Sequence, residues 1–164
     1  MNRFRLHLLT ALVGILSLTL VTAAVAADQV PFKGNLSLLN VPASNNEGCP
    51  AGTIRFNVTG GGYVTHMGAV TLLETVCFNP VDGTFTAQFT LTAGNGDTVS
   101  ATAAGYTVPT SQITFIVHGQ WSVTGGTGRF TGATGSGSAI GPINLATGEG
   151  THHLDGTISS VGSD

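Results

Sequence analysis

Between residues 53 and 59 the chain alternates without exception: Ile54, Phe56 and Val58 fall on one side of an extended backbone, and Thr53, Arg55, Asn57 and Thr59 on the other. A period of two marks a half-buried β-strand, because successive side chains leave opposite faces of the pleat. Residues 84–92 repeat the pattern, with Phe85, Ala87, Phe89 and Leu91 facing away from Thr84, Thr86, Gln88, Thr90 and Thr92. Two such faces need one shared core. Runs at 63–78 and 112–123 are less strict but equally rich in Val, Leu, Ile, Phe and Thr, and Gly119 inside the second is expected to mark a bulge. With 30–39, 98–108, 128–137 and 150–159 they make about eight strands, and no segment carries a helical period.

The breaks between strands have a chemical cause. Asn45-Asn46-Glu47-Gly48, Asn79-Pro80-Val81-Asp82-Gly83, Gly94-Asn95-Gly96-Asp97 and Asn144-Leu145-Ala146-Thr147-Gly148 supply residues that accept the positive φ of tight hairpins. The second and fourth are alike, each Asn-x-x-Asp/Thr-Gly, and are expected to close hairpins of the same build. The fold class is therefore all-β, a single antiparallel eight-stranded barrel, with a β-sandwich as the alternative. Alternating Thr and Gly across 125–141 favours the barrel, since glycines permit the coiling that closure requires. An outer-membrane barrel fits poorly, because it would carry lipid-facing girdles of aromatic residues.

The first 27 residues read as a cleaved secretory leader: Arg3 and Arg5, an apolar run from Leu6 to about Val25, then the small residues Ala23, Ala24, Ala26 and Ala27. Residues 28–164 form the single domain. They hold three basic side chains, Lys33, Arg55 and Arg129, against eight carboxylates, a net charge of −5. That balance argues against a nucleic-acid partner, and no segment after the leader is apolar enough to cross a membrane. The expected location is secreted or periplasmic. There Cys49 and Cys77, the chain's two cysteines, are expected to form a disulfide, since a separation of 28 lacks the C-x-x-C spacing of a zinc knuckle.

Residues 125–135, Gly-Gly-Thr-Gly-Arg-Phe-Thr-Gly-Ala-Thr-Gly, resemble a glycine-rich hairpin of the allene oxide cyclase and dirigent superfamily, and most of all its bacterial exported members. Gly62 with Thr65-His66-Met67-Gly68, and Leu154-Asp155-Gly156-Thr157-Ile158, extend the likeness. The resemblance implies an eight-stranded antiparallel barrel with a small apolar cavity, and leaves a homo-oligomer open. The catalytic and ligand residues of the plant enzymes have no matching motif here. The segment 125–135 is read as a twisted hairpin that closes the barrel, with Phe130 turned into the core and Gly126 a candidate for positive φ.

No phosphate loop, H-E-x-x-H or G-x-S-x-G is present. On an unbroken pleat His66 and Glu74 share a face with Val64, Val70, Leu72, Val76 and Phe78, so they are the candidate catalytic residues, with Arg55 or Arg129 as the cation that could approach Glu74. A carboxyl among apolar neighbours has a raised pKa and can exchange protons at a cavity. Trp121 and Tyr106 are the candidate ligand-binding aromatics. His152 and His153 point to opposite faces, so a metal could use only His153 with Asp155 and a further His118 or His66; no metal site and no cofactor are expected. The preferred function is a non-enzymatic barrel that binds a small apolar ligand or serves as an extracellular interaction module. The alternative is an isomerase or cyclase acting on a small hydrophobic substrate inside the barrel, and a third reading places the Thr-x-Thr rows of 84–92 against ice or a glycan.

Overall fold

The computed structural model describes residues 28–159, so the expected leader lies outside the described residues. Eight strands follow one another: β1 (Gln29–Pro42), β2 (Ile54–Val64), β3 (Gly68–Phe78), β4 (Thr84–Ala93), β5 (Thr98–Pro109), β6 (Thr114–Gly126), β7 (Gly135–Asn144) and β8 (Glu149–Ser159), with a single 3-10 turn at Gly128–Phe130. Each pairs antiparallel with the next. β1 also pairs with β8, from Gln29 opposite Ser159 to Leu39 opposite Glu149, and this closes the barrel and excludes the sandwich. Closure leaves no unpaired edge strand to template aggregation.

Three local expectations need correction. The run 63–78 is not one strand: β2 ends at Val64, a tight turn takes Thr65 to Met67, and β3 begins at Gly68. Gly119 pairs regularly, between Gly105 and Ala139. The bulge instead falls where Ser100 and Ala101 of β5 meet Gly125 and Val123, leaving Thr124 as the extra residue. Gly119 is needed for room, because a Cβ there would press on the Phe85 ring at 3.3 Å. Residues 127–134 are not strand at all. They form a compact loop around the 3-10 turn, and β7 starts only at Gly135.

That loop stops one end of the barrel. Phe130 is fully buried and packs with Val64, Met67, Val99, Ala133 and Ile158. Arg129, the next residue back, turns away to ion-pair with Asp97 of the β4–β5 turn at 2.9 Å. Gly126 has no positive φ, contrary to the expectation from sequence. Its requirement is space: a side chain would collide with the Thr98 carbonyl and with Phe130.

The opposite end is framed by the loop 43–53 and by two turns built alike. Gly83 N donates to the Asn79 carbonyl (2.9 Å) and Gly148 N to the Asn144 carbonyl (2.7 Å), while the Asn side chains accept from Val81 N and Ala146 N. The two glycines sit at φ +74° and +76°, where an L side chain is strained. Loop 43–53 is fastened to the outer wall at β3 by the Cys49–Cys77 disulfide (Cα–Cα 5.5 Å) and at β2 by Arg55 Nη1 donating to the Glu47 carbonyl at 2.9 Å. Thiol titration of the denatured, unreduced protein is expected to find no free cysteine; two reactive thiols would contradict the pairing.

Candidate functional site

Strand alternation sends two kinds of side chain inward. Towards the stopped end they are large and interlocked: Phe32, Leu36, Leu91 and Leu154 surround Trp121, whose ring meets Phe32 edge-on at 5.7 Å. Gly137 and Gly156 face the Trp121 ring, and a Cβ on either would overlap it. Towards the open end the packing is incomplete. A second, smaller cluster of Phe85, Ala87 and Val117, with Val76, Phe78 and Ile143 against it, borders a cavity of about 250 Å³.

The cavity wall is almost entirely carbon: Ile54, Phe56, Val76, Phe78, Phe85, Phe115, Val117, Ile143 and Leu145, with Asn40 and Thr107 as neutral polar groups. Asn40 is held by its Nδ2 donating to the Gly148 carbonyl at 3.0 Å, which ties it to the β7–β8 turn. Phe56 and Phe78 stack edge to face at 6.5 Å. Two ionisable groups line the cavity, Glu74 from β3 and His152 from β8. Both also line a narrow extension of about 30 Å³ that runs inward beside Trp121 and Leu154.

Both residues are partly buried against the cavity wall, and desolvation is what shifts each. The Glu74 carboxyl is pushed up to about 7, and the His152 imidazole is pushed down to about 4. Both shifts favour the uncharged form, as desolvation requires. Neither cation expected near Glu74 reaches it. Arg129 is engaged with Asp97 at the stopped end, and Arg55 points outward beside Cys77 to bond the loop 43–53. Among the described residues the ion pairs are Arg129–Asp97 and Lys33–Asp155, so Glu74 and His152 face one cavity without bonding to each other.

The other candidates lie elsewhere. His66 sits in the β2–β3 turn at φ +66°, at the stopped end, because the pleat that would have aligned it with Glu74 is broken there. Trp121 is core, its Nε1 donating to the Ser138 carbonyl at 2.9 Å, and it reaches only the narrow extension. Tyr106 is on the outer wall, 52 % exposed, stacked on His118 at 5.1 Å. His153 also points outward, its Nδ1 2.9 Å from Asn35 Oδ1, and Asp155 pairs with Lys33. His152 was the residue that sequence reasoning passed over, although its parity with Leu154 and Ile158 on β8 marks it as inward.

A larger depression, about 870 Å³, lies on the outer wall under loop 43–53, where Thr75, Gln88, Thr102, Gln120 and Ser122 line it. It is broad and open to water, lined by surface hydroxyls and amides together with Glu47 and Arg55, and it contains neither perturbed group. The interior cavity, which holds both perturbed groups, is therefore the candidate site.

The closed barrel has known counterparts. The structure of the pterocarpan synthase dirigent protein PsPTS1 superposes with a TM-score of 0.56 at 12 % identity, covering 83 % of this chain and 97 % of that one. The fold is that of the dirigent proteins. A second pterocarpan synthase dirigent protein, GePTS1, gives a TM-score of 0.53 at 14 % identity, covering 87 % of this chain and 91 % of that one. No protein-family model matches the sequence, and no curated protein matches it. The dirigent likeness thus lies in strand order and closure, with most side chains exchanged.

Proposed function

We propose that the protein is an exported dirigent-like barrel that takes a small apolar ligand into its open-end cavity. One observation carries this reading: a carbon-walled cavity of about 250 Å³ opens at one end of a barrel whose other end is tightly packed. Wall atoms facing a void lack dispersion partners, so such a hole persists at a cost in stability that one larger side chain would remove. Concave, mostly apolar pockets with a few convergent polar groups are the usual form of small-molecule sites. The disulfide is compatible with an oxidising, extracytoplasmic setting.

The reading is tested with N-phenylnaphthylamine, a neutral apolar dye whose emission rises out of water. The wild-type protein is expected to bind it saturably. Val76→Trp, which places an indole in the cavity, should weaken binding by about tenfold or more, equivalent to about 1.4 kcal/mol. Tyr106→Ala on the outer wall should leave binding unchanged. Failure of the wild-type protein to bind, or equal loss in the Tyr106 variant, would overturn the proposal. A second reading, an isomerase or cyclase working on a small hydrophobic substrate, is favoured by the presence of a carboxyl and an imidazole in the same cavity.

A further inference from the structure

We infer that the cavity catalyses keto–enol proton transfer on a small apolar carbonyl compound, with Glu74 donating to the carbonyl oxygen and His152 accepting from the adjacent carbon. The inference rests on the ligand-binding reading above and adds to it a reaction and a substrate class. Its basis is geometric. Both side chains line the cavity and its inward extension, they come from β3 and β8, and they form no ion pair with each other. A planar ligand seated against the phenyl wall would meet a proton donor and a proton acceptor together.

The chemistry of the wall narrows the substrate. Among the described residues no lysine or arginine lines the cavity, so a carboxylate or phosphate would enter without a counter-charge and is disfavoured. A neutral carbonyl compound needs only a hydrogen-bond donor at its oxygen, which a protonated carboxyl supplies. Burial keeps Glu74 protonated and His152 unprotonated over the same interval, so the acid and the base coexist in their working forms.

The step balances within the pair. His152 removes the hydrogen α to the carbonyl as a proton, and the C–H electrons become the carbon–carbon double bond of the enol. The carbonyl π electrons move to oxygen, which takes the Glu74 proton. In return the Glu74 carboxylate recovers the hydroxyl proton, and the imidazolium delivers its own to carbon. Delivery to the same carbon, after the imidazolium has traded its proton with solvent water at the open end, gives exchange. Delivery to the far end of a conjugated system gives a double-bond isomer, and no external oxidant, reductant or cofactor is consumed.

Among the described residues no other titratable group lines the cavity: on β8 the neighbouring His153 and Asp155 point outward, and on β2 Arg55 does so. The rate should therefore rise as pH passes about 4, where His152 loses its proton, and fall as pH passes about 7, where Glu74 loses its own.

The test is deuterium incorporation into the α-positions of phenylacetone in deuterium oxide, followed by NMR, beside a saturation-transfer measurement of phenylacetone binding. Wild-type protein should bind the ketone and accelerate exchange over buffer. Glu74→Gln and His152→Asn should each slow exchange by about 10²-fold while still binding, a loss typical of removing a general acid or base. His153→Asn, on the outer wall, should match wild type. Binding without exchange, or exchange unaffected by either interior variant, would overturn this inference and leave the ligand-binding reading standing. Absence of binding would overturn both. Should one interior variant fail to fold, the wild-type pH profile decides, since a flat profile contradicts the pair.

Discussion

Replacing Glu74 with glutamine is expected to expose a steep pH dependence of stability that the wild-type protein hides. Glu74 titrates near 7 in the folded state against 4.5 when unfolded. Its contribution to stability is complete below pH 4.5 and is lost as pH rises through 7, about 3 kcal/mol in all. His152 runs the other way, near 4 when folded against 6.5 unfolded. Its contribution is complete above pH 6.5 and is lost as pH falls through 4, again about 3 kcal/mol. Between pH 4.5 and 6.5 the two slopes are equal and opposite, so together they cancel.

Glu74→Gln removes one slope. Relative to wild type, its stability should climb by about 3 kcal/mol as pH rises from 4.5 to 7, while His152→Asn should show the mirror image across 4 to 6.5. Urea unfolding at half-unit pH steps, plotted as the difference from wild type so that surface carboxylates drop out, measures both. A flat difference curve for Glu74→Gln would mean that the carboxyl is hydrated in the folded protein and that its inward placement has no electrostatic cost.

Truncating Phe130 should be among the most costly single changes in the barrel. The ring is fully buried, and it comes from a loop rather than a strand, so no neighbouring strand residue can take its place. Phe130→Ala is expected to cost about 3 to 5 kcal/mol, the usual range for a phenyl group lost from a packed core. Gly126→Val attacks the same seat from the other side, by forcing a methyl group against Phe130 and the Thr98 carbonyl, and should cost about 1 to 3 kcal/mol. The two share a contact, so the double variant should lose less than the sum. Denaturant unfolding checks all three. Strict additivity, or a near wild-type midpoint for Phe130→Ala, would show that the loop does not plug the barrel.

Strand number and the inward set of β2 and β4 were legible because alternation is a direct record of which face is buried, whereas closure is not in the alternation, which a sandwich shares, and was favoured only by the glycines of 125–141 and the family resemblance. The repeated Asn-to-Gly turns were legible for a similar reason: positive φ restricts residue choice. The segment 127–134 was not, since Gly and Thr suit both a coiled strand and a tight loop; an inward Phe130 fits either, and the left-handed backbone at Gly128 and Gly132 decides for the loop. Glu74 could be placed inward by parity with Leu72 and Val76. His66 was misplaced because the same parity was carried through a turn that Gly68 already marked. His152 went unread although Leu154 and Ile158 gave its facing. A small apolar cavity was anticipated through the family resemblance alone; its place and walls could not be read from the residue pattern, because four phenyl groups in a barrel mouth either interlock or leave a gap, and the difference lies in packing distances that no such pattern encodes.

Every strand pairing except one joins neighbours in sequence. Those hairpins can form within microseconds of their own residues becoming available. The exception, Gln29 with Ser159, brings together the two ends of the described chain. Its loop-closure entropy is met only once everything between is ordered. Zippering from either end therefore yields a curled ribbon with two live edges, and the barrel becomes a barrel only when the last strand arrives. A nascent chain of this design has no finished native state until β8 is released, so premature stops anywhere upstream leave a sticky half-barrel rather than a smaller stable fold.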